Sequence, residues 1–174
     1  MEAAGRTVMF VDVPKDRKDL RERFHPDNIP VWRFIRGEGD TFYEGGGFPI
    51  TPEGRLKFNF RARKAIESAA NDIRRISVPC TSQTGDSEGT VPLESLKLMK
   101  EVIGYEFPEL AELGFSESRL CWCTDSIDEE FVIDYVPSYN DTLFVCSGDS
   151  GHGFKFLPNL GKASRNMHSL PRRR

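Results

Sequence analysis

The chain has 174 residues, 29% of them charged, with a formal net charge of −3, and this length can bury one hydrophobic core. Because acidic and basic residues are interspersed and no apolar run approaches the roughly 18–20 residues that cross a bilayer, we expect no nucleic-acid partner, no membrane span and no signal peptide. The four cysteines include no Cys-x-x-Cys pair, which predicts neither a metal site nor a disulfide scaffold and favours a reducing, cytoplasmic location.

The first third of the chain predicts two strands. An apolar run at Thr7–Val13 is followed by a charged segment, and strands are predicted at Val31–Ile35 and Leu56–Phe60. In the second strand, apolar side chains alternate with polar ones, which predicts one buried face. The intervening residues 45–54 are rich in glycine and proline and predict irregular structure.

Two helices are predicted in the middle of the chain. Residues 62–76 have small or apolar side chains at helical spacing, and a second amphipathic helix begins at Pro92 and ends near Gly104. The polar segment 81–89 between them predicts a surface loop. The side chains expected to face inward from the second helix are Leu93, Leu96, Val102 and Ile103.

The last third predicts three strands and a glycine-rich turn. Residues 119–124, 131–136 and 142–147 are strand candidates joined by turn residues, which favours an antiparallel meander. The turn that follows contains Gly148, Gly151 and Gly153. Such a turn before a helix lets an anionic or flat ligand approach the main chain, although a glycine-rich loop without a ligand is the simpler interpretation.

The same turn does not fit serine-nucleophile chemistry. Gly148-Asp149-Ser150-Gly151 resembles the nucleophile segment of trypsin-like proteases, which need an upstream histidine base. The only upstream histidine is His25, and His152 stands where both that protease pattern and the hydrolase nucleophile elbow require glycine. Both hydrolase interpretations therefore fail.

A longer set of motifs gives a specific resemblance. Residues 148–156 read Gly-Asp-Ser-Gly-His-Gly-Phe-Lys-Phe, Cys-Trp-Cys-Thr-Asp begins at Cys121, and Phe-Val-Ile-Asp begins at Phe131. In this order they resemble the C-terminal part of a flavoenzyme family that contains monomeric sarcosine oxidase, pipecolate oxidase and the fungal fructosyl amino acid oxidases (amadoriases). Gly47-Phe48-Pro49 followed by Leu56-Lys57 matches a further arrangement of that family.

The resemblance implies roles for two residues outside the turn. Lys57 matches a lysine that lies over the flavin and activates oxygen with its positive charge, whereas the structural alternative is an ordinary strand lysine. Cys121 matches the cysteine whose sulfur bonds covalently to the 8α-methyl group of the flavin, and the alternative is a buried, inert thiol. Cys123 stands where many relatives have tyrosine.

The resemblance also implies roles for the turn. The backbone of Gly151, His152, Gly153 and Phe154 would face the pyrimidine edge of the flavin, whose anionic reduced form is favoured by a helix N-terminus. Lys155 would lie at the cofactor and pair with the substrate carboxylate as a point charge.

Two departures from the family pattern bear on the substrate. Arg61 occupies the place of a histidine that the sarcosine oxidases carry, and the tyrosine that precedes their Gly-Phe-Pro is absent, although Tyr43 lies nearby. Both departures argue against sarcosine itself as the substrate.

The implied fold is α+β. It combines a mixed-sheet substrate-binding region at residues 1–127 with the C-terminal strands and glycine-rich turn of a Rossmann-like, flavin-binding domain at 128–162. Residues 163–174 lack an apolar stripe and predict a disordered tail without a Ser-Lys-Leu-type peroxisomal ending. The sequence contains no Gly-x-Gly-x-x-Gly turn for a pyrophosphate, so against the family it corresponds to the C-terminal half of a longer protein.

The implied activity is that of an FAD-dependent amine oxidase. The complete enzyme would oxidise the C–N bond of an N-substituted amino acid of the fructosyl amino acid, sarcosine or pipecolate type to an imine, which hydrolyses, while molecular oxygen is reduced to hydrogen peroxide. The alternative is a truncated, non-catalytic remnant, or half of an enzyme whose other half is a separate polypeptide. We expect neither tight FAD binding nor peroxide production from the isolated polypeptide.

Overall fold

A computed structural model describes residues 1–38, 43–65, 78–79 and 91–169, and its elements form an α+β architecture. Contacts divide the chain into a sheet unit, Gly5–Ala65 with Cys80–Cys121, and a hairpin unit, Met1–Ala4 with Ile66–Pro79 and Trp122–Arg174. None of the described helices is long and apolar enough to cross a membrane. The elements are β1 (Glu2–Asp12), α1 (Lys18–Arg23), β2 (Trp32–Arg36), β3 (Tyr43–Phe48), β4 (Arg55–Ala65), α2 (Leu93–Glu106), α3 (Pro108–Ala111), β5 (Glu117–Asp125), β6 (Val132–Tyr135), β7 (Phe144–Ser147) and α4 (Leu157–Ser169).

The main sheet has five strands in the order β2-β3-β4-β1-β5. The pairs β2–β3, β3–β4 and β4–β1 are antiparallel. The amide of Ser116 donates to the carbonyl of Phe10 at 2.9 Å, so the start of β5 lies beside the end of β1, and the five-strand sheet is antiparallel. The expected mixed sheet is therefore an antiparallel one.

Strand β4 has the predicted two-faced character. Leu56, Phe58 and Phe60 are buried in the core, whereas Lys57 and Arg61 on the other face are half-buried. This alternation follows from the period-2 geometry of an extended strand. The core also includes side chains from β1, the α1 region, the connection between β3 and β4, and the helices that follow β4: Met9, Val11, Val13, Leu20, Phe24, Ile50, Met99, Ile103 and Leu110.

Helix α2 covers the core face of the sheet with a slightly different set of side chains from the predicted one. Val102 and Ile103 are buried as expected, and Leu96 packs partly buried against the core. Leu93, in contrast, is 65% exposed, so its inward assignment is wrong. With about 100° of rotation per residue, Leu93 lies roughly 120° around the helix from the buried Met99.

The glycines at 45–47 lie in a regular strand, which corrects the expectation of irregular structure. A Cβ on Gly45 would lie 2.6 Å from the Phe34 ring, and one on Gly47 would lie 2.6 Å from the Trp32 ring. Residues 34 and 32 are the direct cross-strand partners of these two glycines. The glycines are therefore strand residues because aromatic rings from β2 occupy the space where their side chains would be.

The predicted helix at residues 62–76 is wrong over its first residues, since β4 continues to Ala65 and pairs there with Gly5 of β1. The remainder of that prediction, and the loop at 81–89, lie outside the described residues. At the C-terminus, helix α4 continues to Ser169 where a disordered tail is predicted from residue 163. The serine hydroxyl at 164 donates to the carbonyl of Leu160 within this helix, and residues 170–174 lie outside the described part.

The hairpin unit contains an antiparallel pair, β6–β7, that forms a sheet of its own. The predicted meander of three strands is therefore wrong for β5, which joins the main sheet beside β1. The hairpin connection contains Asn140 and Asp141 with φ of 48° and 57°, a left-handed conformation that Asn and Asp tolerate. The pair ends directly at the glycine-rich turn.

Candidate functional site

Lys57 projects from the face of the main sheet that is opposite the core. Its Cα partners are Phe48 on β3 and Phe10 on β1, and cross-strand partners share a face. The ammonium nitrogen lies 5.5 Å from the centroid of the Phe48 ring. The aromatic neighbours cover the aliphatic stem of the lysine and present its charge at this face.

Cys121 lies on β5, the strand that neighbours β1 in the main sheet. The Arg119 guanidinium of the same strand lies 5.3 Å from the centroid of the Phe10 ring. Because side chains alternate along a strand, Cys121 and Cys123 project from the same side of β5 as Arg119. Both are partly exposed, free cysteines.

An ion-pair network joins three strands next to Phe10. The Arg55 guanidinium contacts Asp12 at 2.8 Å and Glu117 at 3.0 Å, and its carbon lies 5.2 Å from the centroid of the Phe10 ring. The hydrogen bond from Arg55, together with one from Ser116, lowers the pKa of the Asp12 carboxyl from its ordinary value. The network connects the start of β5, the strand that carries Cys121, to β1 and β4.

A second charged cluster lies at the other end of β4. Glu44 and Arg61 are direct cross-strand partners, and Arg61 Nη1 lies 3.4 Å from Glu44 Oε1. The second oxygen of Glu44 accepts a hydrogen bond from Arg33 of β2. We call these three residues the Arg33–Glu44–Arg61 triad. Sequence analysis did not identify Arg33 or Glu44 as site residues, because cross-strand neighbours leave no local pattern.

The glycine-rich turn of the hairpin unit has a strongly constrained backbone. Gly148 and Gly151 have φ of 75° and 77°, and Ser150 has φ of 48°. A Cβ on Gly148 would lie 3.0 Å from the carbonyl oxygen of Glu130, and one on Gly153 would lie 2.8 Å from the Asp149 side chain. The turn therefore needs glycine at these positions for its own geometry, before any ligand is considered.

Ser150 anchors this turn to the end of β5. Its side chain is buried, its amide donates to the carbonyl of Thr124 at 3.1 Å, and its hydroxyl accepts from the amide of Ser126 at 3.3 Å. The Ser126 hydroxyl in turn donates to the carbonyl of Glu130 at 2.6 Å. Ser150, which resembles a protease nucleophile in sequence, thus has a structural role in the turn.

The residues after the turn form an aromatic group. The His152 ring lies 5.2 Å from Phe131 and 6.1 Å from Phe156, measured between centroids. The Lys155 ammonium lies 5.3 Å from the centroid of the Phe156 ring, and Phe154 is 88% exposed. The 3₁₀ turn Gly153–Phe156 leads directly into α4.

The predicted site residues thus fall into two groups. Lys57 and Cys121 lie on strands β4 and β5 of the sheet unit, and Gly151 to Lys155 follow one another in the hairpin unit. The described residues contain no group of three His, Cys, Asp or Glu side chains that could hold a metal ion. Phe10 and Phe48, which flank Lys57, were not identified individually from the sequence, although Phe48 belongs to the Gly-Phe-Pro motif.

Comparison with known proteins gives partial matches, and no family model matches the chain. L-saccharopine oxidase from Schizosaccharomyces pombe is 38% identical over 87 residues, which are 50% of this chain and 19% of that protein. Monomeric sarcosine oxidase from Streptomyces avermitilis is 31% identical over 139 residues, which are 80% of this chain and 32% of that protein. The chain thus spans about a third or less of these curated relatives.

The solved structures show the same relation. The fructosamine oxidase Amadoriase II from Aspergillus fumigatus matches with a TM-score of 0.72 and 25% identity, over 98% of this chain and 37% of that one. Fructosyl peptide oxidase from E. terrenum has the same fold over 36% of its length, with a TM-score of 0.70 and 22% identity. The resemblance to the sarcosine and fructosyl amine oxidases is therefore confirmed as a partial match, and these relatives are flavoenzymes.

Proposed function

We propose, on the basis of this relation to the sarcosine and fructosyl amine oxidases, that the chain forms the substrate-side and flavin-edge part of an FAD-dependent amine oxidase. The reaction is oxidation of the C–N bond of an N-substituted amino acid, with molecular oxygen reduced to hydrogen peroxide. The observation that carries the proposal is that Lys57 and Cys121, which both match family positions, lie on strands β4 and β5 of one sheet and outside the buried core.

The residues present fit the ring end of a flavin. Cys121 is a partly exposed, reduced thiol on a strand that the Arg55 network holds in place. The turn at 148–153 keeps its shape through glycines whose Cβ atoms would clash with neighbouring atoms. The flavin, when bound, accepts the two electrons of the amine, and residues of this chain hold and polarise its ring.

Each proposed site residue has a separate task. Lys57 supplies a fixed positive charge to the face where oxygen is reduced, and Phe48 and Phe10 limit the access of water to its stem. Cys121 attaches the cofactor through sulfur. The backbone of Gly151, His152, Gly153 and Phe154 contacts the cofactor edge, and Lys155 binds the substrate carboxylate as a point charge.

A second candidate function is non-catalytic, or that of one chain of a two-chain enzyme; the match covers 37% of the Amadoriase II chain. Intact mass measurement after incubation with FAD, together with acid precipitation, distinguishes these possibilities. A remnant would carry no covalent flavin alone or with an added N-terminal half, whereas a half-enzyme would acquire flavin only when that half is added.

The decisive experiment joins the chain to the N-terminal part of Amadoriase II and measures flavin attachment by mass spectrometry. We expect Cys121→Ser to abolish the covalent adduct, while Cys123→Ser, the matched control two residues away on the same face, retains it. Equal loss in both variants, or an adduct mapped to Cys123, would contradict the assignment of Cys121.

A further inference from the structure

The glycine-rich turn contains a serine whose backbone has the same left-handed conformation as its glycine neighbours. Gly148, Ser150 and Gly151 have φ of 75°, 48° and 77°. Glycine adopts this region without steric cost, whereas it is unfavourable for a residue that has a Cβ atom. Because glycine would fit the backbone better at position 150, the serine points to a use for its side chain.

The Ser150 hydroxyl takes part in two hydrogen bonds. It accepts from the amide of Ser126 at 3.3 Å and donates to the carbonyl of Gly148 at 3.3 Å. Only 3% of the residue is exposed, so water has little access to replace these bonds. The Ser150 amide also donates to the carbonyl of Thr124 at 3.1 Å. Ser150 therefore ties the turn to the end of β5 through both its side chain and its main chain.

The segment that bonds the Ser150 hydroxyl has supports of its own. The Ser126 hydroxyl lies 2.6 Å from the carbonyl oxygen of Glu130 and 2.8 Å from a carboxylate oxygen of Asp128. The Glu130 carbonyl oxygen would lie 3.0 Å from a Cβ on Gly148, so the turn packs closely against this segment. The turn is thus fastened to an ordered part of the chain.

The Ser150 carbonyl also contacts the ring of His152. The distance from His152 Nδ1 to this carbonyl oxygen is 3.3 Å. Because a carbonyl oxygen only accepts, Nδ1 carries the proton, and Nε2 is the acceptor nitrogen of the neutral ring. The ring centroid lies 5.2 Å from that of Phe131 and 6.1 Å from that of Phe156. The position of the Ser150 carbonyl therefore selects the tautomer of a ring that is packed between two phenylalanines.

We infer that Ser150 is a positioning residue: its hydroxyl holds the turn on Ser126, and its carbonyl holds the His152 ring with Nε2 as the acceptor. The inference rests on the proposed function, in which the backbone of residues 151–154 contacts the cofactor edge and Lys155 binds the substrate carboxylate. Since Ser150 is buried, it acts through these groups and not by contact with a ligand. They follow Ser150 directly in sequence, so a displacement of the turn would move them from their productive geometry.

The first test uses the full chain without flavin and separates the hydroxyl from the backbone conformation. Ser150→Gly favours the left-handed backbone and removes the hydroxyl, whereas Ser150→Ala removes the hydroxyl and keeps the Cβ atom. Hydrogen exchange of the Ser126 amide should accelerate about fivefold or more in both variants, the scale of one lost hydrogen bond. Long-range ¹H–¹⁵N NMR spectra, at a pH where the ring is neutral, should show the Nδ1–H tautomer of His152 in the native chain and a mixture of tautomers in both variants.

The matched control is Thr142→Ala in the same hairpin unit. The Thr142 hydroxyl donates to the carbonyl of Tyr139 at 2.5 Å, so this variant also loses one hydrogen bond from a hydroxyl group. It should leave the Ser126 amide and the His152 tautomer unchanged. An Nε2–H tautomer in the native chain, native values in Ser150→Gly, or the same changes in Thr142→Ala would overturn the inference.

The second test uses the chain joined to the N-terminal part of Amadoriase II. Because Cys121 is unchanged, Ser150→Gly should retain the covalent flavin. The visible absorption spectrum of the attached flavin should nevertheless shift, since the groups that contact the cofactor edge are displaced, and it should stay native in Thr142→Ala. This spectral signature would not change if Ser150 contributed only to stability.

Failure of the inference is distinguishable from failure of the proposed function. If the adduct forms at Cys121 and its spectrum is the same in Ser150→Gly as in the native protein, the proposed function stands and Ser150 is not a positioning residue. If no adduct forms but the first test gives the expected exchange rates and tautomers, the positioning of the turn and of His152 stands and the oxidase assignment loses its support.

Discussion

Replacement of Gly47 by alanine should destabilise the sheet unit, although alanine is the better residue in most strands. The added Cβ would lie 2.6 Å from Trp32 Cζ2 and 2.8 Å from its Nε1. The Trp32 ring cannot move freely, since its centroid lies 5.0 Å from that of Phe107 and 5.8 Å from that of Phe58. Forcing an extra carbon into such a contact costs about 1–3 kcal/mol.

The same substitution also has a smaller stabilising effect, which has to be subtracted from this cost. Restricting the unfolded chain by Gly→Ala contributes about 0.4–1 kcal/mol of stability. We therefore expect a net destabilisation of about 1–2 kcal/mol for Gly47→Ala. The matched control is Gly104→Ala in α2, where no atom lies within 4 Å of the new Cβ. The same substitution should there stabilise the protein by about 0.5–1 kcal/mol, because only the helix propensity changes.

Urea unfolding, followed by tryptophan fluorescence, measures the stability of both variants. The midpoints can be compared if the slope of unfolding free energy against urea concentration is the same in each variant. A double-mutant cycle sharpens the test. Trp32→Phe removes the indole atoms that the new methyl group would contact, so the cost of Gly47→Ala should be smaller in that background. Shifts of the same sign for Gly47→Ala and Gly104→Ala, or an unchanged cost in the Trp32→Phe background, would refute the packing argument.

Two further predictions concern charge. In a chain completed with a family N-terminal half, Lys155→Met should raise the apparent dissociation constant of the substrate about 30-fold or more, since breaking a desolvated carboxylate pair costs ~2–5 kcal/mol. The flavin content should hardly change. Unaltered substrate binding would mean that Lys155 has no contact with the carboxylate. Arg55→Gln should raise the pKa of Asp12 towards its ordinary value of 3.8, because the hydrogen bond from Arg55 is the largest cause of its lowering. A lowered carboxyl pKa stabilises the fold at pH values above the ordinary pKa, and this contribution is lost as the pH falls through the lowered pKa. NMR titration of the Asp12 carboxyl carbon measures the shift. An unchanged pKa in the Arg55→Gln variant would exclude Arg55 as its cause.

Local pattern predicted the elements whose side chains repeat with a clear period. Strand β4 was recognised because Leu56, Phe58 and Phe60 alternate with polar residues, and α2 because its apolar residues recur at helical spacing. The predictions are wrong where local composition favours one structure but contacts with residues distant in sequence impose another. Gly45–Gly47 have the composition of a turn but form a strand, since the Trp32 and Phe34 rings occupy their side-chain positions.

Some features of the candidate site also follow from local sequence, and others depend on contacts between distant segments. The motifs around Lys57, Cys121 and the turn at 148–156 identified the family relation, because short motifs record the residue types that a site requires. Which side of the sheet each residue occupies follows from period-2 alternation only once the register is known. The position of β5 beside β1, which brings Cys121 and Lys57 into one sheet, depends on pairing between strands about a hundred residues apart.

The sequence by itself determined the α+β class, the two-faced strand β4 and the resemblance to the amine oxidases, because these depend on local periodicity and on contiguous motifs. Only the tertiary structure decided that Ser150 anchors the turn and that Glu44 lies between Arg33 and Arg61. The physical reason is that hydrogen bonds and ion pairs across strands join residues whose separation in sequence has no period. A pattern within one segment therefore cannot specify them, whereas the register of the folded sheet does.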